Sequence, residues 1–97
     1  SKFRRSSIHM SDTKNINVLQ LEIKNKSIDV NRIIKILEKD TNYLNLKSST
    51  ILENTEIYFF WVEFKNKKTE FKSIERIKNL NHKDIVASFY SNENLSE

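Results

Sequence analysis

Residues 56–64 read EIYFFWVEF, a run of aromatic and β-branched residues with no helix or strand breaker. That composition fits a pleated, buried surface. Side chains alternate along a strand, so Tyr58, Phe60, Val62 and Phe64 share one face while Ile57, Phe59 and Trp61 share the other. Both faces are apolar. A strand of this kind belongs in the middle of a sheet, with something covering each side.

Working outward, INVLQLEI at 16–23 alternates in the same way and places Leu19, Leu21 and Ile23 together. Residues 25–27 punctuate it. Val30, Ile33, Ile34 and Leu37 then recur at i, i+3, i+4 and i+7, the apolar stripe of an amphipathic helix, with Asp29 as its N-cap. Residues 38–42 are polar turn formers that end this helix. YLNLKS at 43–48 returns to alternation, pairing Leu44 with Leu46, and residues 50–55 lead into the central strand. Asn66, Lys67 and Lys68 form a loop. A second helix is expected from about Thr69 to Asn79, with Phe71, Ile74 and Ile77 inward, and DIVASFY at 84–90 closes the core through Ile85, Ala87 and Phe89. The order β-α-β-β-α-β predicts an α+β fold of the ferredoxin-like kind, a four-stranded antiparallel sheet with two helices on one face.

The chain's 97 residues suffice for one domain with one modest core. Residues 1–14 carry almost no apolar content and read as an N-terminal arm, residues 15–91 as the domain, and residues 92–97 as a tail or linker. There is no Cys, which excludes disulfides and thiolate metal sites. There is no Gly, which excludes Gly-rich phosphate loops, and no Pro, so turns fall to Asn, Asp and Ser. No apolar run approaches the roughly 20 residues of a membrane helix, and a cytoplasmic location without membrane contact is expected. The net charge of +4 permits an acidic or nucleic-acid partner without requiring one.

Catalytic patterns are missing from this sequence. His9 and His82 lie in the arm and a loop, at no metal-ligand spacing, so neither a catalytic residue nor a metal site is expected. Glu63, a carboxylate on the central strand, reads as an exposed strand end or the partner of a neighbouring lysine. The arm sequence Arg4-Arg5-Ser6-Ser7 fits a basophilic kinase site, with Ser7 as acceptor and Ser6 as the fallback. Phe59 and Trp61, on the face away from the expected helices, read as a partner interface.

Residues 35–64, KILEKDTNYLNLKSSTILENTEIYFFWVEF, resemble the regulatory ACT domain of aromatic amino acid hydroxylases, tryptophan hydroxylase more than the others. Asn42, Leu46 and Ser48 occupy the family's Asn, Ile and Ser, and Glu56 with Phe59-Phe60 occupies its Glu and aromatic pair. The central strand also looks like that of the prephenate dehydratase ACT domain. The resemblance implies an ACT-like module that forms a homodimer. It would control a catalytic domain in the same full-length chain and respond to a protein kinase at the arm. Iron and tetrahydrobiopterin would belong to that catalytic, monooxygenase domain, and no cofactor to these residues. The family's ligand-lining stretches map onto Asp29 and Val30 and onto Lys47 and Ser48. Here the first lacks Gly and the second carries Lys in place of an acid. Dimerisation and control are therefore expected rather than amino-acid binding.

Two other readings share this element order. FFWVEF resembles the RNP1 strand of an RNA recognition motif, with Phe59, Trp61 and Phe64 as its aromatics, which would make the chain a single-stranded RNA binder. Ile57 and Tyr58 stand where that motif has a basic residue and Gly, and VLQLEI lacks the aromatic of its first strand, so nucleic acid is the less expected partner. A free-standing ACT-like amino-acid sensor is the third.

Overall fold

Because EIYFFWVEF is apolar on both sides, it can satisfy its backbone and bury its rings only with a strand on each flank. In the computed structural model, which describes residues 16–81 and 83–90, the elements run β1 (Asn17–Lys24), α1 (Val30–Asp40), β2 (Thr41–Ile51), β3 (Thr55–Phe64), α2 (Lys67–Leu80) and β4 (Ile85–Tyr90). The strand order is β2-β3-β1-β4, and every neighbouring pair is antiparallel. Both helices pack on one face, giving the ferredoxin-like α+β arrangement. The strand holding EIYFFWVEF lies inside the sheet, between β1 and β2.

The register builds the core. Leu19 lies opposite Phe60 and Phe89, Leu21 opposite Tyr58 and Ala87, and Ile23 opposite Ile85. From the helix side, Ile33 and Leu37 of α1 and Ile77 of α2 close over this layer, each with 0% of its surface exposed. Burial of each such side chain is worth about 1.5–3 kcal/mol. Phe64 and Phe89 meet with their rings tilted by 58° at 5.9 Å between centroids, at the end of the core where β4 finishes.

The helix ends differ from the sequence reading, for local reasons. Asp29 does cap α1, its Oδ1 accepting the Asn31 N–H at 2.9 Å. Residues 38–42, however, are no loop. The helix continues to Asp40 and β2 starts at once, because Thr41 turns extended and its hydroxyl donates to the Leu37 carbonyl at 2.7 Å. One side chain satisfies a C-terminal carbonyl that a loop would otherwise have to cover. At α2, Asn66 is the N-cap, accepting the Thr69 N–H at 2.8 Å, so the helix begins two residues earlier than expected.

The buried stripe of α2 also shifts. Phe71, expected inward, is 68% exposed, and Ser73 and Ile77 are buried with Ile74 and Leu80 beside them. A small side chain at 73 lets the helix sit close to the sheet. The Ser73 hydroxyl finds no hydrogen-bond partner there, a loss of about 1–3 kcal/mol.

A chain without Gly must make its tight turns with side chains present. Between β1 and α1, Ser27 donates its N–H to the Lys24 carbonyl at 3.2 Å. The two central residues, Asn25 and Lys26, have φ of 60° and 51°. Positive φ at both is the signature of a type I′ turn, whose usual sequence is Asn-Gly. Asn tolerates the left-handed region, whereas the Lys26 Cβ crowds the carbonyl that follows it. Lys26→Gly should therefore stabilise the fold by up to about 1 kcal/mol, a midpoint gain of up to about 4–8 °C for a domain of this size. A thermal melt showing no gain would mean the turn is not strained.

Candidate functional site

The face away from the helices is laid out in rows by strand register. Trp61 lies opposite Asn45 on one side and Val18 on the other, and Val18 lies opposite Tyr90. The next row runs Ser48, Phe59, Gln20 and Ser88, and the one after it Thr50, Ile57, Glu22 and Val86. Tyr43 and Glu63 pair at the end nearest Trp61. The result is an aromatic surface in which Trp61, Tyr43 and Tyr90 are exposed and Phe59 is half-buried, interleaved with small polar side chains. The sequence reading placed Phe59 and Trp61 together on this face, which the structure shows, and expected it to be covered. No helix of the described residues lies over it.

Two hydrogen bonds and one cation tie the rings down. Asn45 donates from Nδ2 to the Tyr43 hydroxyl at 3.1 Å, and the Tyr90 hydroxyl donates to Gln20 Oε1 at 3.4 Å. Between Leu46 and Ser48 the register shifts by one residue, leaving Lys47 as the extra residue of a β-bulge. Its ammonium then lies 4.6 Å from the Trp61 ring centroid, a contact worth about 0.5–1 kcal/mol at an exposed site. Glu63 forms no ion pair among the described residues, which leaves the strand-end alternative of its two sequence readings.

The outer edge of β2 is a second open surface. Its 11 residues pair with β3 on one side only. On the helix side the edge strand and its turn expose Leu46, Ile51 and Leu52, at 43%, 62% and 52%. The sequence reading ended this strand at Ser48, because the polar Ser49 and Thr50 look like loop. It also missed Tyr43 and Tyr90 as members of the aromatic face, although their alternation with Leu44 and Phe89 was a usable signal.

Asp29 and Val30 sit at the start of α1, on the helix side of the sheet. Lys47 and Ser48 lie on the opposite face. One chain thus does not bring the four ligand-lining positions of the ACT resemblance together. Near Asp29, the buried Tyr58 donates its hydroxyl to Glu56 Oε1 at 2.8 Å. Burial first, then the Glu56 hydrogen bond and charge, then the Asp29 charge, push the Tyr58 phenol up to about 12. Among the described residues no three His, Asp or Glu side chains gather as metal ligands. No helix there is long and apolar enough to cross a membrane. Ser6, Ser7, His9 and His82 lie outside the described residues, as do the arm at 1–14 and the tail at 92–97.

No protein-family model matches the chain, and no curated protein matches it. Among solved structures, it is similar to a de novo designed protein, Foldit4. The TM-score is 0.50 over 76% of this chain and 92% of the designed one, at 12% sequence identity. That likeness is one of fold alone.

The Tyr58 environment makes a testable statement about pH. The phenol is pushed from its ordinary 10.0 up to about 12 in the fold. The stability it contributes is therefore complete below pH 10 and is lost as pH rises through 12. Spectrophotometric titration of the phenols should show one late-ionising tyrosine that Tyr58→Phe removes. A variant that keeps the late phase would assign it elsewhere.

Proposed function

We propose that this chain is a regulatory and dimerisation domain of an aromatic amino acid hydroxylase, an ACT-like module that performs no catalysis itself. The observation that carries this reading is the open β2 edge. A long strand with unpaired backbone groups and apolar flanks is a template for another strand. Two β2 edges meeting about a twofold axis would pair Leu46, Ile51 and Leu52 with their counterparts and extend the sheet to about twice its width. The sequence of that same strand and its neighbour, NYLNLKSS and EIYFFWVEF, is the part that resembles the hydroxylase regulatory domains.

In this reading the aromatic face around Phe59 and Trp61 is the surface offered to the catalytic unit. The arm, with Ser7 or Ser6 as phosphate acceptor, adjusts that contact. Iron and tetrahydrobiopterin belong to the catalytic unit. A free amino acid is not the expected signal. At the start of α1, where an amino-acid carboxylate would find donors, the Asn31 N–H is already taken by the Asp29 carboxylate and the Arg32 N–H by the Asp29 carbonyl. With Asp29 and Lys47 on opposite sides of the sheet, any such ligand would also need two chains to complete its site.

Sedimentation equilibrium over a range of concentrations tests this directly. The native chain should dimerise reversibly. Leu46→Lys with Ile51→Lys, both on exposed side chains, should weaken the dimer by about tenfold or more while leaving the melting temperature nearly unchanged. A strict monomer at every concentration would overturn the dimerisation reading, and a thermal shift with phenylalanine or tryptophan would return the chain to the amino-acid sensors.

A further inference from the structure

The outer face of α2 carries charge that the fold does not use. The helix KKTEFKSIERIKNL holds five Lys or Arg against two Glu. Both carboxylates are engaged, Glu70 with Lys67 at 3.8 Å and Glu75 with Lys78 at 4.0 Å. Lys68, Lys72 and Arg76 enter no ion pair among the described residues. They recur at i, i+4 and i+8, so they form one exposed row with a step of about 6 Å. Ser73 and Ile77 are the buried side of the helix, and the row lies away from them.

Beside this row, Phe71 is the most exposed large hydrophobic side chain of the described residues. Phe71, Lys72, Glu75, Arg76, Asn79 and Leu80 line an open trough of about 660 Å³. Its two apolar residues stand at its ends, about 14 Å apart along the helix axis, with the charged and amide groups between them. Apolar anchors beside a polar, cationic rim are the anatomy of a protein-binding patch. A phosphate backbone suits the trough less. Glu75 stands among its lining groups and repels phosphate, and α2 has no second aromatic side chain on which bases would stack. A lipid surface suits it less too, because one ring offers little apolar area to insert.

We propose that this face docks an acidic amphipathic helix of a partner protein. Carboxylates at every fourth residue of such a helix rise in the same steps as Lys68, Lys72 and Arg76, and so meet all three. The Arg76 guanidinium forks onto one of them. An apolar side chain from the adjacent row enters the trough between Phe71 and Leu80. Because α2 packs against α1, β3 and β4, this surface is separate from the β2 edge and stands or falls independently of the dimer.

A fluorescein-labelled amphipathic peptide, with glutamate at every fourth position beside a leucine row, serves as the probe. Its anisotropy on titration with the full chain at low salt should report saturable binding. Lys72→Glu with Arg76→Glu should weaken that binding by about tenfold or more, and Phe71→Ala by about tenfold. All three side chains are exposed, so melting temperatures should stay nearly unchanged. A peptide with lysine in place of glutamate should bind the charge-reversed variant and not the native chain, which shows that the variant keeps its fold. No binding of the acidic peptide to the native chain would overturn the proposal. So would an affinity that ignores Phe71→Ala, which reduces the contact to diffuse charge attraction. Oligouridine or phosphatidylserine vesicles that bind through these residues where the acidic peptide does not would assign the face to nucleic acid or to lipid, and overturn the proposal too.

Discussion

The molecule depends on burying both flanks and one face of β3. Its inward side chains, from Tyr58 to Phe64, form the floor on which α1 and α2 rest, and β1 and β2 supply the hydrogen bonds that keep its backbone out of water. The outward side chains gain no such cover. The apolar content that drives the strand into the sheet therefore leaves Trp61 on the open side, where Tyr43 of β2 and Tyr90 of β4 join it.

Much of the architecture is legible in period alone. Alternation in 16–23, 56–64 and 84–90 identifies the residues that meet in the core, and the stripe from Val30 to Leu37 identifies the first helix. What escaped depends on single side chains acting locally. Thr41 caps a carbonyl and starts a strand in one step, so no loop separates α1 from β2. Asn66 was read as a loop residue, yet it caps α2. Phe71 drew attention by its hydrophobicity, whereas the angle around the helix favours the small Ser73. β2 was read too short because Ser49 and Thr50 are polar, and an edge strand tolerates polar residues since it needs no buried face. The Lys47 bulge has no sequence signature, for it arises from a register offset between two strands.

The two open surfaces have different physical demands. The β2 edge offers unpaired backbone groups and a fringe of apolar side chains, which another strand of the same kind satisfies. The aromatic face offers rings, small hydrogen-bonding side chains and the carboxylates of Glu63 and Glu22, with the Lys47 ammonium already over Trp61. Control through association is the role we propose for both. The strained Asn25-Lys26 turn is the local cost of a chain that has no Gly to place where the fold wants one.

Backbone amide exchange of β2 as a function of protein concentration measures whether that edge is completed by another chain. The account predicts that amides within 41–51 slow their exchange as concentration rises, while those within 85–90, on the opposite edge, do not. Exchange in 41–51 that stays fast and independent of concentration would contradict it.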